Sequence, residues 1–246
     1  PRNIALTAPD RDRPSFATAW QGFAADPSRR RLLIAVALGA AGFSMQDVLL
    51  EPYGGEVLSL TVSETTVLTA LFASGTLIGL ALAARGLSRG MEPHRLAAIG
   101  PLVGVFAFSM VLFADPLGSP LLFRAGTILI GFGGGIFAVG TMTAAMAVAK
   151  GADAGLALGA WGAAQATAAG VAILIGGVLR DFVSQLAATG ALGPALSTPA
   201  AGYGVVYHFE ILLLFSTLVA IGPLARSSGA VERVTPKPFG LAAFPG

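Results

Sequence analysis

In the stretch GFSMQDVLLEPYGGEVLSL, Gly42 to Leu60, two carboxylates, Asp47 and Glu51, stand four residues apart at the end of an apolar run that begins LLIAVALGAAG. In a continuous helix that spacing puts both on one face with Phe43 and Gly39, turned toward the same neighbour. Two readings of the pair are open. In one it caps the helix near a membrane interface, paired with Arg124 or with backbone amides; in the other it lines a cavity and ligates or hydrogen-bonds a polar head group. Pro52 and Gly54-Gly55 are expected to end the helix just beyond it. A second group, His208 and Glu210 in GYGVVYHFEILLLF, falls near the end of another apolar run. There Tyr203 and Tyr207 read as interfacial belt aromatics and Glu210 lies deeper. Gln165, in GAWGAAQATAAG, sits near the centre of a third run, where an amide either bridges helices or contacts a ligand. No nucleophile, base and orienting group can be assembled, because His94 is expected at the cytoplasmic face and His208 near the opposite one. Without cysteine there is no thiolate metal site either. Neither catalysis nor a metal held by the protein alone is expected, so the chain does not read as an enzyme.

These polar groups must be positioned by elements suited to lipid, since 54% of the residues are hydrophobic and only 11% are charged. Crossing about 30 Å of hydrocarbon takes about 20 helical residues. Six runs qualify: Leu32 to Tyr53, Glu64 to Ala84, His94 to Ala114, Pro120 to Ala149, Ala154 to Arg180 and Gly204 to Leu224. They are continuous rather than alternating, which excludes a membrane barrel. The expected fold is an all-α polytopic membrane bundle, with a linker over residues 1–30, a six-helix domain over 31–225 and a tail over 226–246. A formal net charge of +2 implies no nucleic-acid partner. The basic residues report orientation instead. Thirteen of the fifteen fall on one side if both ends share it: Arg2, Arg11, Arg13, Arg29, Arg30, Arg31, Arg85, Arg89, Arg95, Lys150, Arg226, Arg233 and Lys237. That side is expected to be the cytoplasm, with Arg124 and Arg180 opposite, beside Glu56, Glu64, Asp115 and Asp181.

Glycines recur four apart within the runs, as Gly75 and Gly79, Gly100 and Gly104, and Gly131 and Gly135. Such pairs smooth one helix face for close packing, within the bundle or against a single-span partner in the lipid. The run GFGGGIFAVG lacks the lysine and preceding strand of a phosphate loop and reads as packing.

FSMQDVLLEPYGGEVLSL, GLALAARGLSRGMEPHRLAAIG, GLALGAWGAAQATAAG, GYGVVYHFEILLLF and the terminal FGLAAFPG together resemble the carboxy-terminal half of the PucC/LhaA family of phototrophic bacteria, from about Arg31 to Gly246. The resemblance implies a major-facilitator-type protein of twelve helices, each half built of two inverted three-helix repeats. This chain would then be the second half, with its first thirty residues as the connector. It further implies a role in assembling light-harvesting complexes, with bacteriochlorophyll as transiently bound cargo and antenna polypeptides, the reaction centre and membrane lipids as partners. The location implied is the intracytoplasmic photosynthetic membrane. On that reading Asp47, Glu51, Gln165, His208 and Glu210 are the candidate pigment or partner contacts, an oxygen or imidazole among them suiting magnesium. Ala83 or Ala84 stands where many major-facilitator transporters keep an acidic residue, which weighs against coupled transport. Two other classes remain: a secondary transporter of a small solute, and a purely structural membrane partner that binds no pigment.

Overall fold

A computed structural model describes residues 16–149 and 154–231, and among them the regular structure is helical throughout. Lys150, residues 1–15 of the expected linker and residues 232–246 of the expected tail lie outside the described residues. So do Arg2, Arg11, Arg13, Arg233, Lys237 and the FGLAAFPG terminus. The helices are α1 Phe16–Ala25, α2 Pro27–Ser44, α3 Leu50–Glu56, α4 Val62–Ser88, α5 Pro93–Ala114, α6 Pro120–Val148, α7 Ala154–Ala188 and α8 Ala200–Val231. A 3-10 turn, Met45–Val48, joins α2 to α3, and another, Pro194–Leu196, precedes α8.

The helix starts follow from local chemistry. First-turn N–H groups have no partner within a helix, and near hydrocarbon water cannot serve them all. A polar residue followed by proline, whose missing N–H costs nothing there, opens three of the long helices. Asp26 before Pro27 accepts from the N–H groups of Ser28 at 2.8 Å and Arg29 at 3.4 Å. Glu92 before Pro93 accepts from His94 at 3.0 Å and Arg95 at 2.7 Å. Burial would raise the Glu92 carboxyl, but these bonds and the His94 imidazole outweigh it and hold the group below its usual range. Ser119 caps α6 ahead of Pro120, and Thr61 with Glu64 forms a reciprocal capping box on α4.

Six helical stretches are long and apolar enough to cross a membrane: Pro27–Val48, Val62–Ser88, Pro93–Ala114, Pro120–Val148, Ala154–Ala188 and Ala200–Arg226. The fold class is therefore the all-α membrane bundle expected. Part of the segment read as a connector is itself helical. In α1 the spacing of Ala19, Trp20 and Phe23 makes an apolar stripe, and Phe23 is buried against Ala157 and Ala160 of α7.

α6 packs on both α4 and α5, α2 packs on both α7 and α8, and α5 with α8 joins the two groups. These strongest pairings map onto themselves when the first three spans are exchanged for the last three, α2 for α6, α4 for α7 and α5 for α8. Glycine sets the closeness of one of them. A Cβ at Gly75 or Gly79 would overlap the Ile128 or Phe132 carbonyl of α6, and one at Gly131 or Gly135 would meet the Phe72 or Thr76 carbonyl of α4. α4 and α6 thus lie backbone to backbone. The Gly75 and Gly79 stripe therefore faces inward and is not open to a partner helix in the lipid. Gly100 stands against the Gly133 carbonyl and Phe137 of α6, and Gly104 against Phe43 and Leu214.

Candidate functional site

The apolar run around Asp47 is not one helix. α2 stops at Ser44, four residues turn as a 3-10 helix, and α3 restarts at Leu50. The restart explains why Pro52 does not end it: Pro52 is the third residue of α3, in the first turn, where its lost N–H is harmless, and α3 ends at Glu56, directly after Gly54-Gly55. The break is spliced by α8. The backbone N–H of Gln46 donates to Glu210 Oε1 at 2.6 Å, and both residues are buried. The Gln46 side-chain amide donates to the Phe43 carbonyl at 3.4 Å and to Asp47 Oδ1 at 2.5 Å. One residue thus holds a buried carboxyl with its backbone and an exposed carboxyl with its side chain.

Asp47 and Glu51 consequently do not act as a unit. The 3-10 turn rotates them apart, and Glu51 accepts a hydrogen bond from Thr69 of α4 while Asp47 stays with Gln46. Arg124 serves neither carboxylate, since its guanidinium donates to Glu64 at 2.8 Å. With no shared partner, Asp47→Asn and Glu51→Gln are expected to change stability additively, to within about 0.5 kcal/mol. Thermal unfolding of both single variants and the double variant in detergent measures this, and a larger interaction energy would restore the paired reading.

His208 and Glu210 also part company, because two helical residues lie about 200° around the axis. Glu210 is fully buried, whereas His208 is exposed and its Nδ1 lies 2.6 Å from the Gly204 carbonyl. His208 lines a hollow of about 270 Å³ together with Tyr53 and Asp115. Gln165 is half-buried on α7 and makes no side-chain hydrogen bond among the described residues. Tyr203 and Tyr207 are not belt residues: both are fully buried and pack edge-on to Tyr53, at 5.3 and 5.5 Å between ring centroids.

Around this aromatic centre lies a polar network that sequence reasoning missed. Arg180 of α7 donates to Glu56 of α3, to the Tyr203 hydroxyl at 2.6 Å and to Asp181 at 2.8 Å, with its guanidinium 4.5 Å over the Tyr203 ring. The Tyr203 hydroxyl in turn donates to Glu56 at 2.7 Å. Tyr53 donates to the Val111 carbonyl at 3.3 Å, and burial together with the nearby Asp115 charge pushes its phenol up to about 12. Charge alone puts Arg180 on one face with Glu56, Asp115 and Asp181, but nothing in the sequence joins them to Tyr203 and Tyr53. Glu210 Oε2 and the Tyr207 hydroxyl, one turn apart on α8, form no hydrogen bond with the described residues, which leaves an acceptor and a donor uncommitted inside the bundle.

A wide apolar groove of about 1210 Å³ runs between α1, α2 and α7. Leu33 and Ala37 form one wall, Ala19 and Trp20 a second, and Gly155, Gly159, Ala163 and Thr167 line α7 at four-residue spacing. Among the described lining residues Thr167 supplies the only side-chain hydroxyl. Ala37 precedes Asp47 by about 15 Å of helix, so the groove and the polar centre are distinct. Among the described residues no His, Asp or Glu lines the groove, and no three such side chains gather as a metal group.

The family model described as PUCC protein matches residues 2–229. The chain belongs to the PucC family. It is 51% identical, over 98% of its own length, to a Rhodobacter capsulatus protein known as the uncharacterized protein in the puhA-bchM intergenic region, and 46% identical over 95% to Protein PucC of Cereibacter sphaeroides. It is also 29% identical over 93% of its length to a protein of Rhodobacter capsulatus named bacteriochlorophyll synthase 44.5 kDa chain. The chain spans about half the length of these curated relatives, 51% and 50% of the first two. No solved structure matches it.

Proposed function

We propose that this chain serves the assembly of bacterial light-harvesting antenna complexes. In this reading it takes bacteriochlorophyll as cargo in the groove between α1, α2 and α7, and contacts antenna polypeptides or the reaction centre. The observation that carries the reading is the groove itself, large, lateral and almost without polar atoms, in a protein whose relatives bear the PucC name. A macrocycle with a long hydrocarbon tail is mostly apolar, and small residues on α7 give it a flat wall without protruding side chains. The donor set limits the rest. The groove fits the ring edge and tail but offers magnesium only a hydroxyl, while Asp47, the exposed carboxylate, lies beyond its end. The cargo is therefore held chiefly by burial, which suits transient binding.

The exchange symmetry of helix pairings supports two inverted three-helix repeats and hence a major-facilitator-type half. The charge distribution supports both ends of this chain being cytoplasmic, and the PucC family supports a photosynthetic membrane. The function proposed is non-catalytic.

The test is bacteriochlorophyll absorbance per mole of protein purified in mild detergent from a phototroph's membranes. A Cβ at Gly159 meets nothing within 4 Å, so Gly159→Phe with Ala163→Phe fills the groove without forcing helices apart. The double variant is expected to retain about tenfold less pigment at normal protein level, since overfilling a site costs 1–3 kcal/mol. Equal pigment in variant and wild type would exclude the groove. Wild-type protein that brings down antenna polypeptides but no pigment would favour the purely structural partner.

A further inference from the structure

The carboxyl end of α4 is built as a hollow with two uncommitted cations. Gly90, at φ +83, ends the helix in the left-handed conformation that glycine adopts without strain. The Met91 N–H then returns to the Gly86 carbonyl at 3.0 Å and the Gly90 N–H to Leu87 at 3.0 Å. This turn folds Met91 back toward Gly86, whose missing side chain leaves a hollow of about 440 Å³ walled by Leu82, Arg85, Arg89 and Met91. Arg85 and Arg89 are one turn apart, exposed, and make no ion pair or side-chain hydrogen bond among the described residues. Arg124 and Arg180, at the other end of the bundle, are each bound to carboxylates. Below the arginines the same helix face continues with Leu82 and Ile78, 51% and 52% exposed. Two guanidiniums above a greasy strip, at the end of a membrane span, match a molecule with an anionic head and an acyl chain.

We propose that this hollow binds an anionic phospholipid, its phosphate between Arg85 and Arg89 and one acyl chain along Leu82 and Ile78. The guanidiniums form charge-assisted bonds to the phosphate oxygens, and Met91 covers the glycerol region. The proposal is independent of the pigment groove, which lies on other helices.

The test uses the protein purified in mild detergent from its native membranes and reconstituted in nanodiscs of equal phosphatidylglycerol and phosphatidylcholine. Lipid retained after re-solubilisation is counted by mass spectrometry. Wild type is expected to enrich phosphatidylglycerol, and R85Q/R89Q to lose about tenfold or more of that enrichment, since each basic residue near an anionic surface contributes about a further fivefold. R85K/R89K, which keeps both charges, is expected to retain most of it. Wild type without preference between the two lipids overturns the proposal whatever the variants do. Unchanged retention by R85Q/R89Q also overturns it, and displacement of the lipid by excess inorganic phosphate would reassign the hollow to free phosphate.

Discussion

Gly75→Leu with Gly79→Leu is expected to abolish accumulation of the protein. A Cβ at either position would overlap a carbonyl of α6, and backbone cannot turn aside as a flexible side-chain end can. The facing glycines, Gly131 and Gly135, meet α4 carbonyls in the same way, so α4 has no room to rotate toward smaller neighbours. Relief requires the two helices to separate, which forfeits dispersion contacts along a major packing seam. Overpacking costs about 1–3 kcal/mol per site, and two sites on one seam bring the loss to about 2–6 kcal/mol, comparable with the whole stability of a domain. Immunoblot of membranes reads the result. Gly159→Leu, with open space where its Cβ would stand, is the control expected to accumulate normally. Normal levels of the Gly75→Leu/Gly79→Leu protein would mean that α4 and α6 are not in backbone contact.

Glu210→Ala is expected to destabilise the bundle by about 3 kcal/mol, whereas Glu210→Gln is expected to stay within about 1 kcal/mol of wild type. The alanine variant leaves the Gln46 N–H, buried at the break in the first span, without its acceptor, and opens a cavity where the side chain lay. Glutamine keeps a carbonyl oxygen for that N–H. The contrast separates the splice from any need for a charge: thermal unfolding in detergent should rank wild type and Gln together above Ala. If the alanine variant unfolds with wild type, the break is held by α2 and α3 alone. If the glutamine variant falls with alanine, an ionised carboxylate at Glu210 is required.

Much of this molecule was legible along the chain because lipid imposes one-dimensional demands. A span must be about 20 residues of apolar helix, and a close helix contact needs small residues four apart. Six spans and the glycine pairs could accordingly be read without coordinates. Helix starts have an equally local cause, since a cap and its N–H groups lie within four residues, yet the cap at Asp26-Pro27 went unread, because a count of apolar residues starts the first span only at Leu32.

The candidate site was read less well because its geometry depends on partners far away in the chain. Asp47 and Glu51 look like one helical face only if α2 continues, and whether it continues is decided at Glu210, 164 positions from Gln46. Tyr203 and Tyr207 have the composition of belt residues, yet α3 folds Tyr53 across them and closes water out. Gly75 and Gly79 spell a smooth face, but only the position of α6 shows that the face is already occupied. The sequence by itself determined the solvent, the number of spans and which residues are small or polar, since these follow from local composition and helical period. The tertiary structure decided which carboxyl is buried, which is exposed and which glycine faces are spent, since each depends on helices brought together only by folding.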